Sequence, residues 1–406
     1  MLSTREPSRA AGYLTATASE ARMQELVDKV APILRATTAV SEDRRRLAPE
    51  AMDALVDAGI LRALVPAAYG GSELGPVYGV KLFEELAYVD SAAAWVGAIS
   101  AAAAWLLSLL PPRAADDVLG DPRAVVNGSL FPPLVATPVA GGYRVSGRSS
   151  FGSGCDYATW VQCQAVIVDD GAPKIGPSGA PVAVLIHVPA SEAERIDTWN
   201  TLGMRGTGSN DFQVSEAFVP EHLAWPMGPV APGNPAFTDG LTRMGLWWFS
   251  PLVASVSLGV ARAAVADLVD LAQRKTPSYT HLGLADKHIV QDKLARARAA
   301  VDAARTYVYG ALAAADEIVR TQPKLSIEQA IPLALAGSYA IESATQAVDL
   351  VHSCVGTSGI RNEHSFQRYF RDVHTISQHA FASPARFESI GKLMLGRESD
   401  WPFYYL

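Results

Sequence analysis

Asp197-Thr198-Trp199-Asn200-Thr201-Leu202-Gly203-Met204-Arg205-Gly206-Thr207-Gly208-Ser209-Asn210-Asp211 lies where a β-rich stretch of the chain turns back on itself. Its glycines invite a nucleotide-loop reading, but a phosphate loop needs the Walker lysine and a helix immediately after it. This run has neither and leads into the strand-like residues 211–218. A β-turn that uses glycine for positive φ is the fuller account, with phosphate contact the weaker alternative.

Outward from this turn, residues 124–130, 143–149, 159–168, 182–188 and 211–218 are rich in β-branched and aromatic side chains. Gly141-Gly142 and Asp169-Asp170-Gly171 punctuate them as turns. They predict a mostly antiparallel β domain over 123–226. On both sides the period becomes helical. Met23, Leu26, Val27, Val30, Ile33 and Leu34 recur at helix spacing, and Pro49 opens a helix that Gly59 ends. Residues 252–273, 287–319 and 326–354 are long, alanine-rich and amphipathic, the last opened by Ser326 with Glu328 in its first turn. The organisation expected is a loose tail over 1–22, a helical domain over 23–122, the β domain, and a helical domain over 227–406.

Composition narrows the function. The 406 residues are 49% hydrophobic and 18% charged, enough to bury a large core. A net charge of -7 argues against nucleic-acid binding, which needs a basic face. Cys155, Cys163 and Cys354 are too few and too scattered for a disulfide framework or a zinc site, which suits a cytoplasmic protein. Residues 92–110 are uncharged and nearly long enough to span a bilayer, but the run is mostly alanine and Pro111-Pro112 stops it, so a central buried helix is expected and no membrane. No HExxH, GxSxG or CxxC spacing occurs, and no metal site is expected.

Two places remain for chemistry. In Ser150-Phe151-Gly152-Ser153-Gly154, small residues at a strand end admit a flat ligand, and Ser153 can hydrogen-bond a ring nitrogen; a bulge or hairpin turn explains the glycines equally well. Phe370-Arg371-Asp372-Val373-His374-Thr375-Ile376-Ser377-Gln378-His379-Ala380-Phe381-Ala382-Ser383-Pro384 reads as a loop presenting side chains to a pocket. It ends at a helix start, where Ser383 caps and Pro384 leads. His379 lies just outside that helix.

The helix-β-helix order, the Trp199 to Asp211 run, Phe218-Val219-Pro220-Glu221 and Arg371-Asp372 together resemble the acyl-CoA dehydrogenase superfamily over nearly the whole chain after about Met23. The resemblance implies a mainly α fold: an N-terminal helical domain, a middle antiparallel β-barrel domain and a C-terminal four-helix bundle, usually tetrameric. Within the superfamily the chain is most similar to the reduced-flavin monooxygenases of two-component systems, such as the 4-hydroxyphenylacetate and 3-HSA hydroxylases. Ser150 to Gly154 matches their turn against the flavin. The dehydrogenases' Thr-Glu-Pro stretch is absent, with Ser129-Leu130-Phe131-Pro132 in its region, and Gln378-His379-Ala380 stands where their Glu base would be.

What the resemblance implies is an oxygenase that takes reduced FMN or FAD from a separate NAD(P)H:flavin reductase and hydroxylates a small aromatic substrate. Ser153 and His379 would be its catalytic residues, the histidine as acid, base or hydrogen-bond partner. Trp105, Phe151, Gly152, Ser153, Arg274, Gln291, Gly356 and Thr357 would bind the cofactor, Arg274 and Gln291 by reaching a neighbouring subunit's flavin phosphates. Trp105, Trp247, Trp248, Phe249 and Phe381 can line the cavity, and Arg371-Asp372 reads as a structural ion pair. The chain departs from several of these enzymes at Ala103, where they carry a second histidine. Two other readings stand beside this one: a FAD-dependent acyl-CoA dehydrogenase with an unrecognised base, and a non-catalytic ligand-binding member.

Overall fold

Apolar residues at helical spacing become buried faces. The computed structural model describes residues 16–176, 179–228, 233–237, 240–381 and 383–406. Helix α1 (Ala16–Arg44) buries Met23, Leu26, Val27, Val30 and Leu34. It begins inside the segment expected as a tail, because 16–22 continue the same helix; residues 1–15 lie outside the described residues. Helix α2 (Pro49–Ala58) starts on its proline, and α3 (Pro76–Val89) leads to α4 (Ser91–Trp105), where Asp90 accepts the Ala93 amide at 2.8 Å. The segment containing α4 is apolar and long enough to cross a membrane, yet nearly all of it is buried inside the protein. Helix α5 (Pro112–Leu119) ends this region.

The sheet comprises β1 (Val126–Val139), β2 (Gly142–Gly152), β3 (Trp160–Asp169), β4 (Ala172–Pro173), β5 (Ala183–Pro189), β6 (Ala193–Ile196), β7 (Asn210–Pro220) and β8 (Ala224–Pro226). Its order is β6-β7-β2-β1-β3-β5-β8, with β4 paired to β3. The expected antiparallel barrel is replaced by an open, mixed sheet. Strand β2 folds back beside one edge of β1, the chain returns to the other edge, and β3 therefore runs parallel to β1, pairing Val126 with Trp160.

The C-terminal region holds α6 (Gly240–Met244), α7 (Phe249–Arg274), α8 (His288–Thr321), α9 (Ile327–Val355), α10 (Phe366–Ile376) and α11 (Ala385–Met394). The start of α9 is a capping box in which Ser326 pairs with Gln329, not Glu328. Residues 370–376 of the expected loop 370–384 are helix: α10 continues to Ile376, and the two turns' worth of side chains it carries there point in fixed directions. Helix α11 starts behind Pro384 without a hydrogen bond from the Ser383 side chain.

Candidate active site

Helix α10 holds the 197–211 stretch in place. The Asp372 carboxylate is buried and accepts the Met204 amide and the Ser91 hydroxyl, each at 2.6 Å. Arg371 donates to the Leu202 carbonyl at 2.7 Å and pairs with Glu42 at 2.6 Å. The two residues are therefore not an ion pair with each other, because neighbours on a helix face different ways. Together they clamp 202–204 onto α10. Only glycine fits at 203, where a Cβ would lie 2.2 Å from the Arg371 carbonyl oxygen. Burial pushes the Asp372 carboxyl up to about 6 despite its two donors.

The clamped loop terminates a directed run of hydrogen bonds. Thr207 donates its hydroxyl to the Met204 carbonyl at 2.8 Å, so it must accept from Ser209 at 2.7 Å. Ser209 must then accept from Ser153 at 2.8 Å, and Ser153 accepts the Trp95 indole N–H at 3.0 Å. With its proton committed, Ser153 Oγ offers only one remaining lone pair. The strand end that carries it is tightly built: Gly154 has φ +72°, and a Cβ there would lie 2.7 Å from Asn127 Nδ2. Phe151 is 63% exposed and meets Trp199 edge-on at 6.3 Å.

His379 hangs from the other end of α10, its amide bonded to the Ile376 carbonyl at 2.9 Å. Its Nδ1 accepts the Phe381 amide at 3.4 Å, which assigns the ring proton to Nε2. The imidazole lies 5.1 Å edge-on from Trp95 and 6.0 Å from Phe381. Loss of hydration pushes its pKa down to about 4, so the ring is neutral at physiological pH. Trp95 thus touches both proposed catalytic residues.

From Phe381 an aromatic cluster continues through Phe249 at 5.4 Å, Trp248 at 4.6 Å beyond it, and Trp105 at 4.9 Å from Trp248. The Nε1 atoms of Trp105 and Trp248 are buried without hydrogen-bond partners among the described residues. Trp105 is fully buried in this cluster, and Trp247 stacks on Tyr404 at 4.3 Å. Phe381 also meets Trp401 and Phe403, at 5.3 and 5.2 Å. No hydrogen bond or ion pair joins a carboxylate side chain to any of these aromatic side chains or to His379 among the described residues.

The remaining candidates form a second group at one end of the bundle. Lys275 donates to the Val355 carbonyl at 2.6 Å and the Ser358 hydroxyl at 2.8 Å, drawing the Gly356-Thr357 turn against the end of α7. Its carbonyl accepts the Leu284 amide, and Gln291 donates to the Ala285 carbonyl at 2.9 Å. Arg274 is exposed there and makes no ion pair among the described residues. Sequence reasoning missed Trp95, Thr207, Ser209 and the separate tasks of Arg371 and Asp372. The hydroxyls of Thr207 and Ser209 stand in plain view within 197–211, but as turn residues. These groups suit a flavin: an exposed Phe151 ring, a buried hydroxyl with one lone pair, unpaired indole N–H groups and a free surface guanidinium.

Residues 17–110 match the family described as acyl-CoA dehydrogenase, N-terminal domain, and 252–384 match acyl-CoA dehydrogenase, C-terminal domain. The chain is 29% identical over 386 residues to an indole-3-acetate monooxygenase of Pseudomonas putida, covering 95% of this chain and 96% of that protein. It is also 29% identical over 398 residues to the oxygenase component of the FADH2-dependent resorcinol hydroxylase of a Rhizobium species, covering 94% and 96%. The solved structure of XiaF from Streptomyces sp., in complex with FADH2 and glycerol, has a TM-score of 0.84 at 25% identity and covers 95% of this chain and 98% of its own.

Proposed function

Because the chain belongs to the acyl-CoA dehydrogenase family, and its relatives include flavin-dependent oxygenase components, we propose that it is the oxygenase of a two-component monooxygenase acting on a small aromatic substrate. A neutral histidine in an aromatic cluster, with no carboxylate side chain bonded to it, carries the proposal. Dehydrogenation would need a carboxylate to remove a substrate's α-proton. Reduced FMN or FAD, when bound, supplies the electrons and the site of oxygen activation.

The chain's own residues do the rest. Ser153, as an acceptor, suits an N–H of a reduced ring. Gly152 and the exposed Phe151 give that ring a flat approach, and Trp105 would bind the cofactor from the aromatic cluster it forms with Trp248 and Phe249. Nε2–H of His379 donates to the substrate or to an oxygen species and carries no charge above about pH 4. Phe249, Phe381 and Trp248 hold an aromatic ring and exclude water, which protects a reactive oxygen species from loss. Arg274 and Gln291 would serve the flavin phosphates of a neighbouring subunit and the Gly356-Thr357 turn a flavin tail, in a cytoplasmic homotetramer fed by an NAD(P)H:flavin reductase.

Rapid mixing tests this reading. Anaerobic protein with reduced FMN, then with reduced FAD, is mixed with oxygenated buffer while the visible spectrum is followed. A protein-dependent transient before oxidised flavin is the expected result. A trace identical to free flavin, or bleaching of bound oxidised FAD by an acyl-CoA without oxygen, would overturn it.

A further inference from the structure

Beyond Phe381 the aromatic run ends at a cation that stacks on a ring and pairs with no carboxylate among the described residues. The Arg386 guanidinium, in the first turn of α11, lies 4.0 Å from the centre of the Trp401 ring. Its Nε and Nη1, together with Trp401 Nε1, are buried and have no hydrogen-bond partner among the described residues. A buried, unpaired charged donor is expensive, and a positive charge in the first turn of a helix is further disfavoured by the helix dipole.

The carboxylates beside this pair in the sequence bond elsewhere. Glu388 and Asp400, which flank the pair in sequence, both pair with Lys392, at 2.9 and 3.4 Å. The two carboxylates therefore neutralise Lys392 and leave the Arg386 guanidinium without a carboxylate. Trp401 meets Phe381 edge-on at 5.3 Å, and Phe381 lies 6.0 Å from His379, so these donors and the imidazole border one aromatic run.

We propose that Arg386 and the Trp401 indole N–H form an anion subsite that takes the carboxylate of an aromatic acid, with the acid's ring lying against Phe381. The site's substrates are then aryl carboxylic acids, which the guanidinium binds by charge-assisted hydrogen bonds and a neutral analogue forfeits. This inference rests on the hydroxylase reading for its chemistry but not for its binding.

Calorimetric titration of the full chain, without flavin and with anaerobic reduced FMN, tests it with phenylacetate and indole-3-acetate against their neutral amides. Each acid is expected to bind about 10- to 100-fold more tightly than its amide, the range for hydrogen bonds to a charged group. Arg386→Met should bring that ratio to about one while leaving amide affinity in place. If Arg386→Met does not fold, Trp401→Phe keeps a ring and removes the indole donor, and should weaken the acids several-fold more than the amides. A ratio near one in the natural protein, a ratio unchanged in Arg386→Met, or equal losses for acid and amide in Trp401→Phe would overturn the subsite. Acid preference alongside free-flavin oxidation kinetics would instead sink the hydroxylase reading and keep the subsite.

Discussion

Substituting Gly203 by alanine tests the clamp between α10 and its loop. The added Cβ would lie 2.2 Å from the Arg371 carbonyl oxygen and 2.7 Å from the Asp372 amide nitrogen, both helix backbone atoms that cannot swing aside. The loop must lift, and the 2.7 Å bond from Arg371 to Leu202 and the 2.6 Å bond from Met204 to Asp372 go with it. At about 1.5–3 kcal/mol for each hydrogen bond to a charged group, the loss is about 3–6 kcal/mol. Guanidinium unfolding followed by tryptophan fluorescence reads this directly. Gly310, on the exposed side of α8 with open space where its Cβ would go, supplies the control: Gly310→Ala should be neutral or stabilising by up to about 1 kcal/mol. The same Gly203→Ala protein should bind reduced FMN or FAD more weakly, because Met204 terminates the hydroxyl run through Ser153. A Gly203→Ala stability within about 1 kcal/mol of the natural protein would refute the clamp.

Other substitutions separate charge from geometry. Burial raises the Asp372 carboxyl to about 6 from the ordinary 3.8, so the stability it contributes is full below the lower value and lost as pH rises through the upper one. Asp372→Asn should abolish this pH dependence, changing its unfolding free energy relative to the natural protein by about 3 kcal/mol between pH 3.5 and 7.5; a constant difference would contradict the assignment. His379 has the opposite sign: its folded pKa of about 4 means stability present above 6.5 and lost as pH falls through 4, so His379→Gln should be the more acid-tolerant protein. His379→Ala should keep its affinity for reduced flavin and yield less product per oxygen consumed, and unchanged coupling would remove the histidine from the chemistry. Thr207→Val frees the hydroxyl protons of Ser209 and Ser153, and should raise affinity for oxidised relative to reduced flavin in anaerobic titrations; an unchanged ratio would defeat the directional argument.

Much of this architecture was legible because it is periodic. The long helices follow apolar spacing, and the five expected strands are β1, β2, β3, β5 and β7. Strands β4, β6 and β8 span two to four residues, too few for alternation to show. The parallel pairing of β1 with β3 is a matter of which edge the returning chain takes, and no local pattern encodes that. The site divides the same way. His379 and Ser153 were visible as unusual residues at element ends, whereas Trp95 was concealed in an alanine-rich run that reads only as buried helix. Arg371 and Asp372 are adjacent and oppositely charged, which suggests a pair until the helix turns them apart.

Helix α10 carries both arms of the site, the 202–204 loop through Asp372 and the imidazole through Ile376. The separation between them is thus counted in helical residues and not set by a flexible connection. One residue inserted between Asp372 and Ile376 would advance His379 by about 1.5 Å and swing it about 100° around the axis. Within this lineage, α10 should accept exchanges of side chain far more readily than any change in its length, and the reach between hydroxyl and imidazole becomes a fixed gauge for the thickness of whatever lies between them.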